Sequence, residues 1–116
     1  MAAARAQHFE DMSPHDVYVI NRPVSAGAGK SWLTVGVDLQ YAWKIGVTQS
    51  IRGGIRPSTF VRECNAVYGG GCSAQIVARN LEGYYLATLR ESMMLTAYQD
   101  DYGVCPEWHQ GKAVYR

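Results

Sequence analysis

Residues Ala42–Thr48 read AWKIGVT, with Trp43, Ile45 and Val47 alternating against Ala42, Lys44, Gly46 and Thr48. A two-residue period is the mark of a strand with one apolar face. It predicts that Lys44 points away from that face. Upstream, Val17–Ile20 (VYVI) is a β-branched and aromatic run, a strand in which Val17 and Val19 share one side and Tyr18 takes the other. Trp32–Val37 and Ser73–Arg79 (SAQIVAR) read as two further strands. Asn21–Ser31, with Pro23, Gly27 and Gly29, reads as a loop.

The helices lie downstream. Pro57 suits the first position of a helix, and Phe60, Cys64 and Val67 follow at the spacing of a buried stripe. Gly69-Gly70-Gly71 ends it. The longest helix is expected from Tyr84 to Asp101, stopping at Gly103. Leu86, Leu89, Met93 and Ala97 line one side of it; Tyr84, Thr88, Glu91, Leu95 and Tyr98 line nearly the opposite side. That pattern predicts a helix buried on two sides. The whole reads as an α+β fold, a small three- to four-stranded, mainly antiparallel sheet flanked by helices. Residues 1–14 read as a flexible lead-in and residues 15–116 as one domain.

A chain of 116 residues, 47% hydrophobic and 18% charged, has the balance of a single globular core. No apolar run approaches the roughly 20 residues of a membrane span, so no membrane insertion is expected. Met1–Gln7 lacks the long apolar stretch of a signal peptide. A net charge of +1 excludes attachment to nucleic acid by bulk charge alone. The distribution is more informative. Leu39–Arg62 contains Lys44, Arg52, Arg56 and Arg62 and no acid, which suits either a small phosphate site or a solvated basic face. The three cysteines, Cys64, Cys72 and Cys105, fit no zinc pattern and read as small buried side chains in a reduced setting.

Glu91 is the single acid between Gly83 and Gln99 and falls within an apolar stripe. A carboxylate there needs a structural arginine, a metal ion or a catalytic role. Two apparent motifs fail. SAGAGKS has Val24 where a phosphate-binding P-loop requires Gly. His15, Asp16 and His109 have no serine in a nucleophile-elbow context to complete a triad.

The order is a Tyr-bearing strand, a Lys-Ile-Gly strand, an Arg at a helix start and a long helix with a lone Glu. It resembles the GIY-YIG nuclease architecture. The stretch from Lys44 to Glu91 resembles in particular the nuclease toxin modules at the C-terminal ends of Rhs and related polymorphic bacterial toxins. The matching positions are Trp43–Thr48, Arg56, Val61, Asn65, Ser73-Ala74, Asn80, Gly83, Leu86, Ala87 and Glu91, then Tyr98 and Gly103. Tyr18 is a looser addition, and Lys44 stands where the family's second Tyr would.

The resemblance implies metal-dependent phosphodiester hydrolysis, with Mg²⁺ (or Mn²⁺) held by Glu91. Arg56 would clamp a phosphate oxygen, Tyr18 would orient or deprotonate the attacking water, and Lys44 would hold a phosphate or lower a neighbouring pKa. Arg52, Arg62 and His109 are expected at the substrate, with Trp108 and His109 closing the site. The substrate would be nucleic acid, DNA favoured over RNA. A cognate immunity protein is implied, with action in the bacterial cytoplasm of a target cell after delivery within a larger effector. The competing expectation is a non-catalytic α+β interaction module with Tyr84, Tyr85, Tyr98, Tyr102 and Trp108 as its aromatic surface. A third is an enzyme of another class with Cys64 or Cys72 as nucleophile.

Overall fold

The computed structural model describes residues 11–23 and 39–110. The strand expected at Trp32–Val37 and most of the loop before it lie outside those residues. In chain order the elements are β1 (Pro14–Asn21), β2 (Ala42–Gln49), a 3-10 turn (Ser50–Arg52), α1 (Ile55–Tyr68), β3 (Ser73–Glu82), α2 (Tyr84–Tyr102) and a second 3-10 turn (Glu107–His109). The strands form one antiparallel sheet in the order β2-β1-β3. The fold is therefore the expected α+β type, with three strands among the described residues.

β1 is the central strand, and His15–Ile20 are all buried. Its alternation sends Val17 and Val19 into a core with Ile45, Ala87, Met94 and Tyr98, beneath α2. Tyr18 and Ile20 enter a second core with Trp43, Cys64 and Phe60, beneath α1. Tyr18 thus takes the side opposite Val17 and Val19, as VYVI predicts, but that side is a second apolar core. The sheet is covered on both faces, so a side chain that leaves one core enters another. A bulge between Ile20 and Asn21 places Trp43 as the extra residue of β2, which puts Trp43 and Lys44 in the neighbourhood of the α1 core.

α1 begins at Ile55, so Pro57 occupies the third helical position, still within the turn where a missing N–H costs nothing. Its stripe is Phe60, Val61, Cys64 and Tyr68, whereas Val67 is 60% exposed. Gly69 closes it in the left-handed region, its N–H donating to Asn65 O at 2.7 Å. Gly103 closes α2 in the same way, donating to Gln99 O at 2.8 Å.

α2 departs from the two-sided burial expected of it. Ala87, Met94, Ala97 and Tyr98 are buried, while Leu86, Leu89 and Met93 are 45%, 46% and 51% exposed. The helix packs by one face on the sheet, and no described element covers the other. The cysteines are a second correction: Cys64 and Cys72 form a disulfide, with Cα atoms 6.1 Å apart, and Cys105 alone is free. The triglycine turn brings the start of β3 back against the last turns of α1, where Asn65 Oδ1 also accepts from Cys72 N–H at 2.9 Å. Neither bridged sulfur can serve as the nucleophile of a thiol enzyme.

Candidate active site

Tyr18 and Gly46 face each other across the β1–β2 ladder. The Tyr18 ring lies over the glycine so closely that a Cβ at position 46 would stand 2.9 Å from Tyr18 Cε1. The glycine of the Lys-Ile-Gly motif therefore makes room for a tyrosine lying across β2. Tyr18 is fully buried, and its hydroxyl proton meets no acceptor. Burial pushes its pKa up, the field of Arg56 opposes the rise and that of Glu91 adds to it. Tyr18 is therefore a neutral phenol with a proton to donate, suited to orienting a water or an oxyanion and poorly suited to taking a proton.

Lys44 is 5% exposed. Its Nζ lies 3.7 Å from the Trp108 ring centroid, 4.3 Å from that of Phe60 and 5.6 Å from that of Tyr18. Three π faces offset part of what the amine loses in leaving bulk water. Phe60 and Trp108 meet edge to face at 5.5 Å, and Trp108 Nε1 donates to Glu63 Oε1 at 3.2 Å. The segment after α2 thus forms the wall that confines Lys44.

Arg56 stands in the first turn of α1, exposed, and its charge is felt at both Tyr18 and Glu91. Glu91, mostly buried on α2, has its carboxyl raised to about 7 by burial, with Lys44 and then Arg56 acting in the opposite direction. The fold therefore brings Tyr18 from β1, Lys44 from β2, Arg56 from α1 and Glu91 from α2 into one electrostatic neighbourhood.

The three residues expected at the substrate are placed differently from one another. Arg52 is exposed and lines a pocket with Arg56. Arg62 is exposed, and its guanidinium reaches Thr59 on its own helix at 3.5 Å. His109 is 6% exposed, and its Nε2 accepts from Ile45 N–H at 3.1 Å. Among the described residues β2 is an edge strand, and the Ile45 N–H finds its acceptor in His109 rather than in a neighbouring strand. That nitrogen is committed to the backbone.

Sequence reasoning missed the structural role of Asp16. Asp16 Oδ1 accepts from Ser50 Oγ at 2.6 Å and from Asn80 N–H at 2.9 Å, pinning the turn that carries Arg52 between two strands. An acid immediately before a β-branched run was the available signal. Phe60 was recognised as a core residue, but its contact with Lys44 has no sequence signal.

Among the described residues, no group of three or more His, Cys, Asp or Glu could cage a metal ion. One desolvated carboxyl suits a hard cation that keeps most of its ligands as water and phosphate oxygen, the habit of Mg²⁺. It does not suit zinc or a calcium cage. No protein-family model, curated protein or solved structure matches this chain.

Proposed function

We propose that this chain is a GIY-YIG-like, metal-dependent nuclease. The observation that carries the reading is the convergence of Tyr18, Lys44, Arg56 and Glu91 from four separate elements. Two cations, a neutral phenol and one carboxyl form an arrangement complementary to a phosphodiester, whose charge grows on the non-bridging oxygens as it is attacked. Glu91 would hold a Mg²⁺ or Mn²⁺ ion, which supplies Lewis-acid polarisation of a phosphoryl oxygen when bound. Arg56, at the solvent-facing side, clamps a phosphate oxygen and opposes charge build-up there. Lys44, confined by its aromatic walls, presents a preset positive charge at small entropic cost. Tyr18 donates its unpaired proton to an oxygen in the site, orienting water or substrate.

The effector setting belongs to the same proposal: a toxin module delivered into a bacterial cytoplasm within a larger chain, restrained by an immunity protein and acting on DNA in preference to RNA. A non-catalytic interaction module is favoured by one observation, the exposed Tyr85, Leu86, Leu89 and Met93 on α2. Of the five aromatic residues expected on that surface, Tyr98 is buried against Tyr102 and Trp108 is engaged with Lys44, while Tyr85 is exposed.

The test is cleavage of supercoiled plasmid and of total RNA, with Mg²⁺ or chelator, by wild type, Glu91→Gln and Tyr18→Phe. Metal-dependent cleavage that falls by two orders of magnitude or more in Glu91→Gln is expected. Equal cleavage by wild type and Glu91→Gln, or none on either substrate, would move the assignment to the interaction module.

A further inference from the structure

A pocket of about 160 Å³ lies at the end of β2, its lining including Asp11, His15, Val47, Gln49, Tyr84 and Arg56. We propose that it takes a nucleobase carrying an exocyclic amino group, and that His15 and Asp11 select that group. The inference rests on the nuclease reading for what brings a nucleic acid here, but not for the choice among bases.

Size and wall chemistry come first. The register His15↔Gln49 and Val17↔Val47 puts His15, Val47 and Gln49 on one face of the ladder, the face beneath α2. Tyr84 opens α2, and its ring meets that of His15 edge to face at 5.5 Å. Drug-sized ligands occupy pockets of about 300 Å³ and more. This one is sized for a single ring system, and its mixture of apolar wall and polar atoms matches a base, apolar on its faces and polar at its edge.

The polar atoms decide which base. His15 Nδ1 lies 2.7 Å from Ser13 O. A carbonyl only accepts, so Nδ1 carries the proton and Nε2 keeps a lone pair in the neutral ring. Nε2 stands 3.8 Å from Asp11 Oδ2, too far for a hydrogen bond between them. Hydrogen bonds from Ser13 hold the Asp11 carboxyl below its ordinary pKa, so Oδ2 is an acceptor as well. Gln49 Nε2 donates to Oδ2 at 3.3 Å and leaves it a further lone pair. No donor among the described residues reaches His15 Nε2, and the residue is 4% exposed. A ligand N–H would remove the cost of that nearly buried acceptor. Adenine and cytosine present an amino group on the edge where thymine and uracil present a carbonyl, and a carbonyl would set acceptor against acceptor.

The acceptors are also held in place before any ligand arrives. Gly83 has φ +93°, and a Cβ there would stand 3.2 Å from Asp11 O. The glycine thus lets residues 11–13 lie against the start of α2, where Tyr84 N–H donates to Asp11 O at 2.8 Å. Ser13 N–H and Oγ fix Asp11 Oδ1 at 2.9 and 2.6 Å. Such preorganisation lowers the cost of binding. Arg56 belongs both to this lining and to the field at Tyr18 and Glu91, so the base pocket and the proposed catalytic cluster share a wall.

Nucleosides test the pocket without its neighbouring phosphate. Isotope-labelled protein with chelator, at about pH 8 so that the imidazole is neutral, is titrated with deoxycytidine and with deoxyuridine. Deoxycytidine should give saturable amide shifts at His15, Val47, Gln49 and Tyr84, and deoxyuridine should bind about tenfold more weakly. His15→Phe keeps a ring in the wall but no acceptor, and Asp11→Asn replaces Oδ2 by a donor. Each should abolish most of the preference.

Equal binding of the two nucleosides by wild type, or no saturable shift with either, would overturn the proposal. So would a folded His15→Phe and a folded Asp11→Asn that both keep the full preference. Plasmid and RNA cleavage, followed in parallel, separates this inference from the nuclease reading. A chain that prefers deoxycytidine and cuts nothing keeps the base pocket and loses the nuclease assignment. One that cuts but does not discriminate between the nucleosides keeps the nuclease assignment and loses the pocket.

Discussion

Replacing Glu91 by Gln should make this protein more stable at alkaline pH while removing its proposed chemistry. Burial lifts the Glu91 carboxyl from an ordinary 4.5 to about 7 in the folded chain. A group whose folded pKa lies above its unfolded value binds its proton more tightly when folded. Its favourable contribution is complete below about pH 4.5 and is lost as pH rises to about 7. At about 1.36 kcal/mol per pH unit, that interval corresponds to about 3 kcal/mol. Glutamine is nearly isosteric and uncharged, so it carries no such slope.

The assay is urea unfolding of metal-free wild type and Glu91→Gln, with chelator, from about pH 4.5 to about pH 8. The two curves should nearly coincide at the acid end. At the alkaline end the variant should lead by up to about 3 kcal/mol. Added Mg²⁺ should narrow the gap, because an ion bound only by folded wild type stabilises it. A stability difference that stays constant across the whole range would refute the desolvation of Glu91 and with it the case for a cation there. The expected outcome, a less stable wild type kept for its carboxylate, is the usual mark of a functional group.

Two further substitutions test the architecture around the site. Gly46→Ala should cost about 1–3 kcal/mol in chemical denaturation, because the new methyl meets the buried Tyr18 ring; Tyr18→Leu in the same background should recover part of the loss, a non-additivity that a double-mutant cycle detects. His109→Ala leaves Ile45 N–H without its acceptor and should cost about 1–3 kcal/mol. Faster hydrogen exchange at the Ile45 amide would locate the effect, and His109→Gln, which restores an acceptor, should slow that exchange again.

The features legible in the sequence are those that nearest neighbours dictate. The two-residue period of VYVI and AWKIGVT marks strands because pleating sends alternate side chains to opposite faces. Gly69 and Gly103 mark helix ends because the left-handed closing conformation suits glycine. The order of the elements, and the candidacy of Glu91 as a lone acid in an apolar stripe, could be read for the same reason.

What covers each face could not. Leu86, Leu89 and Met93 look like core in a helical projection but are half exposed, since nothing described packs outside α2. The Cys64–Cys72 bridge depends on β3 starting back against α1, and cysteine spacing alone carries no such information. His109 looked like a substrate ligand, and it is a backbone acceptor because β2 lies at the edge of the described sheet.

The sequence by itself determined the three described strands, the two helices and the glycines that end those helices, because backbone preference is a property of adjacent residues. Only the tertiary structure decided that Tyr18 is a buried neutral phenol, that Lys44 sits among aromatic rings and that Glu91 holds its proton to about pH 7. Desolvation and electric field depend on what packs across the fold from residues far apart in the chain.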